Sequence, residues 1–170
     1  MSDTKNIGEA LKDLHGEESG RDTILCVDDL EMLRNTLGRM AGMVVRGLNV
    51  ETADGYEEAI DKASGDLRGR LALVITDTEM PPGKNGMELA KALKGKNATP
   101  EILKDMQRVP VIINSGNSNY EHPRYEDGAA MQALLESGAA DVFLAKPFMP
   151  DELREAILEA INRVRERGEK

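Results

Sequence analysis

The chain has 170 residues, enough for one domain whose core needs no disulfide bond, and its formal net charge is −9 at pH 7. A composition this acidic, with 3% aromatic residues and no tryptophan, argues against direct nucleic-acid binding. The sequence contains neither an apolar run of bilayer length nor a signal peptide, and its single cysteine, Cys26, cannot form an internal disulfide. We therefore expect a cytoplasmic protein without membrane association.

Residues 1–22 form a polar N-terminal extension that carries one short apolar stripe. The stripe consists of Ile7, Ala10, Leu11 and Leu14. This spacing predicts a short amphipathic helix that ends at Gly16. A helix of this length is marginal unless it docks, and the sequence leaves open whether it docks on the domain, mediates dimerisation or stays mobile. His15 has no partner at metal-ligand spacing, so we expect it to be solvated.

From Thr23 onwards, apolar strands alternate with helical patterns. The predicted strands are Thr23–Val27, Asn49–Ala53, Leu71–Thr76, Val109–Asn114 and Asp141–Ala145. Five successive β-α units predict an α/β fold, a three-layer doubly wound arrangement around a parallel sheet. Two segments lengthen this pattern: an insertion around residues 95–108, where Thr99-Pro100-Glu101 is a good helix start, and a polar loop at 117–124.

Polar residues follow the four longest strands, and in such folds the carboxyl ends of the strands carry the chemistry. The strand ends are Asp28-Asp29, Asp77, Asn114-Ser115 and Lys146. Clustered carboxylates repel one another and favour a cation such as Mg²⁺, while a lysine and a serine suit a phosphate. Asp77 can carry a phosphoryl group as an acyl phosphate. Each residue alone could be an ordinary turn or ion-pair residue, and it is their ordered arrival at one edge that indicates a site.

An ordered set of motifs resembles the receiver domain of two-component response regulators. The motifs are I-L-C-V-D-D at 24–29, V-I-T-D at 74–77, M-P at 80–81, N-G-M-E-L at 85–89, I-I-N-S-G at 112–116 and G-A-A-D-V-F-L-A-K-P-F at 138–148. Together they cover residues 23 to about 167. The resemblance implies a flavodoxin-like fold with a five-stranded parallel sheet in the order 2-1-3-4-5, the order known from chemotaxis receivers.

The resemblance also implies roles for the acidic residues. Asp77 matches the phosphoacceptor. Asp28 and Asp29 match the acidic pair that holds Mg²⁺, with Asp29 as the direct ligand and Asp28 acting largely through water. Glu79 matches the position whose backbone carbonyl completes the metal site with Asp77.

Three further residues match the positions that bind the phosphoryl group and transmit its presence. Lys146 corresponds to the phosphate-binding lysine, and Ser115 to the hydroxyl residue that follows the phosphoryl group on activation. Phe143 corresponds to the aromatic switch position, although an ordinary core aromatic would look the same in sequence.

We therefore expect residues 23–170 to form a stand-alone receiver domain, a signalling module rather than an enzyme. A sensor histidine kinase or a histidine phosphotransfer protein would phosphorylate it in a Mg²⁺-dependent reaction. A downstream protein would read the result on the helix 4–strand 5–helix 5 face, counting helices from the first β-α unit. Homodimer formation stays open.

Two alternative functions stay open. A Mg²⁺-dependent phosphohydrolase could use Asp77 as its nucleophile, although such enzymes place that residue on the first strand. A receiver-like docking scaffold would not be phosphorylated, and the complete set of site residues argues against it.

Overall fold

The computed structural model describes residues 6–95, 106–115 and 125–168, with backbone only for Ser115 and residues 125–130. The helices are α1 (Ile7–His15), α2 (Glu31–Val44), α3 (Tyr56–Ser64), α4 (Gly86–Leu93), α5 (Tyr125–Ser137) and α6 (Pro150–Gly168). The strands are β1 (Thr23–Val27), β2 (Asn49–Ala53), β3 (Leu71–Asp77), β4 (Val111–Ser115) and β5 (Val142–Ala145). Within these ranges, no helix combines the length and the apolar character needed to cross a membrane.

The strands form one parallel sheet in the order β2-β1-β3-β4-β5, which confirms the predicted α/β fold and strand order. Every residue of β1 and β3 is buried, because helices cover both faces of these central strands. β2 lies at the edge of the sheet, and its burial alternates along the strand instead.

Two hydrophobic clusters, one on each face of the sheet, join it to the helices on either side. The fold therefore has three layers, helices, sheet and helices. On one face of the sheet, side chains such as Leu25 and Val74 pack with α3 and α4. On the other face, Ile24 and Ile75 pack with α1, α2 and α6. Cys26 belongs to the second cluster, and burial raises the pKa of its thiol to about 12, so it acts as a small buried apolar residue.

The N-terminal helix α1 docks on the domain, which answers the question that the sequence left open. Its apolar stripe is buried in the cluster that includes α6, and Arg108 and Arg165 donate hydrogen bonds to the carbonyls of Leu14 and Ala10. The expectation of a solvated His15 is wrong. His15 is half-buried, with Nε2 2.9 Å from the carbonyl oxygen of Ala72, because docking carries the end of α1 onto β3.

Three of the five strands differ in their bounds from those predicted. β5 begins at Val142 rather than Asp141, and β4 ends at Ser115 rather than Asn114. β3 extends through Asp77, whose backbone pairs with Asn114 of β4. β4 begins at Val111 rather than Val109, because Val109 forms a turn with Met106 and Pro110 has no N–H to donate. The predicted helix start at Thr99-Pro100-Glu101 and the loop at 117–124 lie outside the described residues.

Candidate functional site

The strand order reverses direction between β1 and β3, and the candidate site lies at the carboxyl ends of these two strands. The chain passes from β1 to one side for β2 and then crosses to the other side for β3. This reversal opens a crevice between the loops that follow β1 and β3. Asp28 directly follows β1 and Asp77 ends β3, so the topology brings the two predicted acidic positions together.

Three carboxylates meet in this crevice. One oxygen each from Asp28, Asp29 and Asp77 lies within 4.8 Å of the other two. Asp28 is only 1% exposed, and its Oδ1 accepts a hydrogen bond of 2.9 Å from the backbone N–H of Leu30. That local bond holds the Asp28 carboxylate in place at the start of α2.

Lys146 bridges two of the carboxylates. Its Nζ lies 3.2 Å from Asp28 Oδ2 and 3.2 Å from Asp77 Oδ1. The residue directly follows β5, the far edge strand, so its long side chain reaches across the end of β4 to the centre of the sheet. A single cation shared by two buried carboxylates offsets part of their mutual repulsion.

The Asp77 carboxylate carries its charge in a partly desolvated position. Burial raises its pKa, and the negative charge of Asp28 acts in the same direction. Lys146 and the N–H of Thr78 oppose this effect, since both donate to Asp77 Oδ1, the latter at 2.9 Å. Asp77 remains 9% exposed, so its carboxylate can be reached from solvent.

The loop from β3 to α4 holds the backbone of Asp77 in position. Gly86 begins α4 so close to β3 that a Cβ atom there would lie 1.9 Å from the carbonyl oxygen of Asp77. Its N–H donates to the carbonyl of Thr78 at 2.8 Å. Asn85 caps the same helix in a capping box with Glu88. The N-G-M-E motif therefore both starts α4 and permits this close approach.

The structure gives the positions of the other predicted site residues, Ser115, Phe143 and Glu79, but does not test their roles. Ser115 ends β4 beside Ala145, and its side chain lies outside the described part of the chain. Phe143 is half-buried and packs against the hydrophobic cluster beneath α3 and α4. Glu79 is exposed in the loop after β3. The roles of all three remain predictions.

Sequence reasoning missed three residues of the site. Thr78 donates its hydroxyl to the carbonyl of Asn114 at 2.9 Å as well as its N–H to Asp77. Gly86 supplies the close approach described above. Asn114, which the sequence analysis named as a strand end without giving it a role, is the register neighbour of Asp77 on β4. The N-G pair was the one available signal, since glycine is the residue used where backbones approach closely.

The carboxylate cluster fits a divalent cation. Mg²⁺ binds oxygen ligands at about 2.0–2.1 Å and keeps several waters, so two or three carboxylates suffice for a site. The separation of at most 4.8 Å between the three oxygens suits such binding after small adjustments. A cation here would also relieve the charge repulsion that helps to raise the pKa of Asp77. The donor set of Asp28, Asp29 and Asp77 is therefore compatible with Mg²⁺.

Comparison with known proteins gives one consistent result. A family profile described as "Response regulator receiver domain" matches residues 24–158. A transcriptional activator protein, ExaE of Pseudomonas putida, is 35% identical over 141 residues, which are 83% of this chain and 54% of that protein. The chain thus spans about half the length of this curated relative.

Solved structures agree with the fold. A response regulator receiver domain protein from Clostridium thermocellum superimposes with a TM-score of 0.61 at 26% identity, covering 85% of this chain and 97% of that one. The chemotaxis protein CheY4 of Vibrio cholerae gives a TM-score of 0.59 at 24% identity, covering 84% and 98%. The second likeness concerns the fold alone.

Proposed function

Because the chain belongs to the response regulator receiver domain family, we propose that it accepts a phosphoryl group on Asp77 and thereby switches its interaction with a protein partner. The supporting observation is the position of Lys146 Nζ, 3.2 Å from both Asp28 Oδ2 and Asp77 Oδ1, beside three clustered carboxylates. This arrangement combines a nucleophile, a phosphate-binding cation and a set of metal ligands at one edge.

The proposed donor is a phosphohistidine of a sensor histidine kinase or a histidine phosphotransfer protein. A carboxylate oxygen of Asp77 attacks phosphorus, the phosphorus–nitrogen bond breaks, and the imidazole leaves with the bonding electrons. Lys146 can move from its carboxylate contacts to the phosphoryl oxygens, where its charge is needed. Asp77 is 9% exposed, and the donor would reach its carboxylate from this exposed side.

The metal ligands in this proposal are Asp28, Asp29 and Asp77, with the backbone carbonyl of Glu79. When bound, Mg²⁺ would neutralise charge on the transferring phosphoryl group. Among the described residues, the hydrogen bonds that Asp77 accepts from Thr78 and Lys146 both fall on Oδ1. Neither of these two bonds occupies Oδ2, which is therefore the oxygen that we propose as the nucleophile.

Signal output is proposed to pass through Ser115 and Phe143. These residues lie on the adjacent strands β4 and β5, where Ser115 pairs with Ala145, two residues after Phe143. A shift at Ser115 can thus reach Phe143 through β5. The surface formed by α5, β5 and α6, which is the helix 4–strand 5–helix 5 face of the family, is the proposed contact for a protein target. We place the receiver domain from Thr23 onwards, with residues 1–22 as an extension docked through α1.

Incubation with acetyl phosphate and Mg²⁺, followed by intact-mass measurement, tests this function. We expect one added phosphoryl group on the wild-type chain and none on Asp77→Asn. Asp54→Asn is a matched control, because Asp54 is an exposed carboxylate that directly follows β2, two strands away from β3 in the sheet. This control should be labelled as the wild type is.

Other results would point to other functions. Repeated turnover of unrelated phosphoesters would indicate a phosphohydrolase, and complete absence of labelling would indicate a docking scaffold. Labelling that persists in Asp77→Asn would refute Asp77 as the acceptor.

A further inference from the structure

A small cavity lies beside the carboxylate crevice, between α2 and the segment that precedes α6. Its volume is about 140 Å³. Its walls are largely apolar and come from α2 and from Phe148, the α2 residues being Leu33, Thr36, Leu37 and Met40. The Thr36 hydroxyl donates a hydrogen bond of 2.9 Å to the carbonyl of Met32 within α2. Leu33 is 41% exposed, so the cavity has a rim at the protein surface. The proposed phosphoacceptor chemistry uses Asp28 and Lys146 at one end of this cavity and none of its apolar walls.

The amide of Asn114 lines the inner end of this cavity. Asn114 is 1% exposed, and neither its Oδ1 nor its Nδ2 has a hydrogen-bond partner within the described ranges. Leaving a buried donor or acceptor unsatisfied costs about 1–3 kcal/mol for each group. Asp28 and Lys146 line the same end but are paired with each other at 3.2 Å. The Asn114 amide is therefore the polar group with which an occupant of the cavity would form hydrogen bonds.

The size and the lining of the cavity favour an organic occupant over water alone. An enclosed apolar cavity of about 150 Å³ accommodates one benzene ring, and the present cavity has a similar volume but opens to solvent at Leu33. Water is stable where it finds two to four polar partners. Water could satisfy the Asn114 amide but would face four apolar side chains along the rest of the space. A molecule with one polar end and an apolar body matches both parts of the lining.

We propose that this cavity is a binding site for a small neutral molecule of one-ring size. Its apolar body contacts Leu37, Met40 and Phe148, and its hydroxyl or carboxamide head forms hydrogen bonds with the Asn114 amide. Hydrogen bonding to this otherwise unsatisfied amide provides selectivity for the polar head, because an apolar analogue leaves it unpaired.

The position of the cavity links its occupant to the candidate phosphorylation site, a consequence that rests on the proposed function. Asp28 and Lys146 border both spaces, and Asn114 is the register neighbour of Asp77 on the adjacent strand. A ligand bound to the Asn114 amide lies beside the Lys146 ammonium group, so it favours one position of that group over another. By linkage, phosphorylation must then change the affinity for the ligand by the same factor.

Binding is tested by nuclear magnetic resonance on the full chain, with phenol and benzamide as probes and benzene as the apolar reference. The signals followed are the side-chain amide of Asn114 and the methyl group of Met40. We expect saturable shifts of both signals at millimolar probe, and phenol should bind roughly tenfold more tightly than benzene, the factor equivalent to one good hydrogen bond.

Two variants identify the site. Asn114→Leu keeps the side-chain size and removes the unsatisfied amide, so the chain should fold at least as stably while phenol loses its advantage over benzene. Leu33→Trp at the exposed rim should block all three probes. The proposal is overturned if no probe shifts these signals, if the Asn114 amide contacts only water, or if the variants bind as the wild type does.

A separate measurement tests the link to phosphorylation. The dissociation constant of phenol should differ at least threefold between the unlabelled wild-type chain and the chain labelled by acetyl phosphate, and the two values should agree in Asn114→Leu. Equal dissociation constants in the wild type overturn the link alone. Absence of any labelling refutes the proposed function, whereas the binding result stands on its own signals.

Discussion

Asp77 is held as a charged group in a place where burial disfavours charge. Burial raises its pKa, and Asp28 adds to that effect, while Lys146 and the N–H of Thr78 partly compensate. An acid whose pKa is higher in the folded state binds its proton more tightly when folded. Its contribution to stability is therefore present below the unfolded pKa and is lost as pH rises through the folded pKa.

Asp77→Asn is accordingly expected to increase the free energy of unfolding at pH 7, because it removes the buried charge. The gain should shrink as pH falls towards 3, where the wild-type carboxyl group is protonated as well. Urea unfolding at both pH values measures this difference. The exposed Asp54→Asn variant should show no such gain, and a lower urea midpoint for Asp77→Asn at pH 7 would contradict the expectation.

A second prediction at the residue scale concerns the substitution of Gly86. A Cβ atom at this position would lie 1.9 Å from the carbonyl oxygen of Asp77, so Gly86→Ala must displace either α4 or the end of β3. We expect a loss of about 2–3 kcal/mol in the free energy of unfolding and slower labelling of Asp77 by acetyl phosphate.

Gly83→Ala is the matched control for this variant. Gly83 lies in the same loop, is exposed, and would place its Cβ atom more than 4 Å from other groups. This change should alter neither stability nor labelling. Equal behaviour of the two variants would mean that the close approach at Gly86 has no structural role.

At the scale of elements, docking of α1 extends the apolar layer formed by α2 and α6. The buried side chains of α1 share a cluster with residues of β1, β3 and α6. Gly8 packs against the turn that follows α2, since a Cβ atom there would lie 2.5 Å from the carbonyl oxygen of Arg46. A nine-residue helix is thus stabilised by packing rather than by its own helical propensity.

His15 makes this docking sensitive to pH. Burial lowers its pKa from 6.5 to about 4, the hydrogen bond to Ala72 opposes that effect, and Arg21, Arg108 and Lys94 add repulsion. The unfolded chain therefore takes up a proton on His15 at a higher pH than the folded chain does. Stability is fully present above pH 6.5 and falls as pH decreases from 6.5 to 4.

We expect this interval to remove about 2 kcal/mol, less than full burial would give because the ring is partly exposed. Urea unfolding at closely spaced pH values checks the slope. His15→Gln keeps a side-chain donor for Ala72 but does not titrate, so its slope between pH 6.5 and 4 should be smaller. Identical slopes would show that other groups cause the acid sensitivity.

At the scale of the whole molecule, the fold concentrates negative charge at one edge of a sheet in a chain of net charge −9. Mg²⁺ should therefore stabilise the folded chain, because the cluster exists only when β1 and β3 are adjacent. At one hundred times its dissociation constant, a ligand that binds only the folded state adds about 2.7 kcal/mol.

Thermal unfolding with Mg²⁺ and with a chelator measures this stabilisation. Asp29→Asn should remove most of the Mg²⁺-dependent rise in melting temperature, whereas Asp54→Asn should retain it. A rise that survives in Asp29→Asn would place the cation elsewhere on the acidic surface.

The sequence by itself determined that polar residues at the ends of the strands lie along one edge of the sheet. Fully apolar runs predict buried parallel strands, and five β-α units with right-handed crossovers leave few topologies. The acidic residues at 28, 29 and 77 were therefore predictable as neighbours, since the ends of parallel strands face the same edge. Local chemistry sufficed for these features because each depends on residues close together in the chain.

Only the tertiary structure decided which side chains meet at that edge and how far each is from solvent. Lys146 and Asp28 are 118 positions apart, and no local pattern indicates that one ammonium group bridges Asp28 and Asp77. Docking of α1, burial of His15 and the unsatisfied amide of Asn114 likewise depend on surfaces contributed by distant elements. The physical reason is that strand periodicity sets the face on which a side chain lies, whereas its hydrogen bonds and burial depend on what packs against that face.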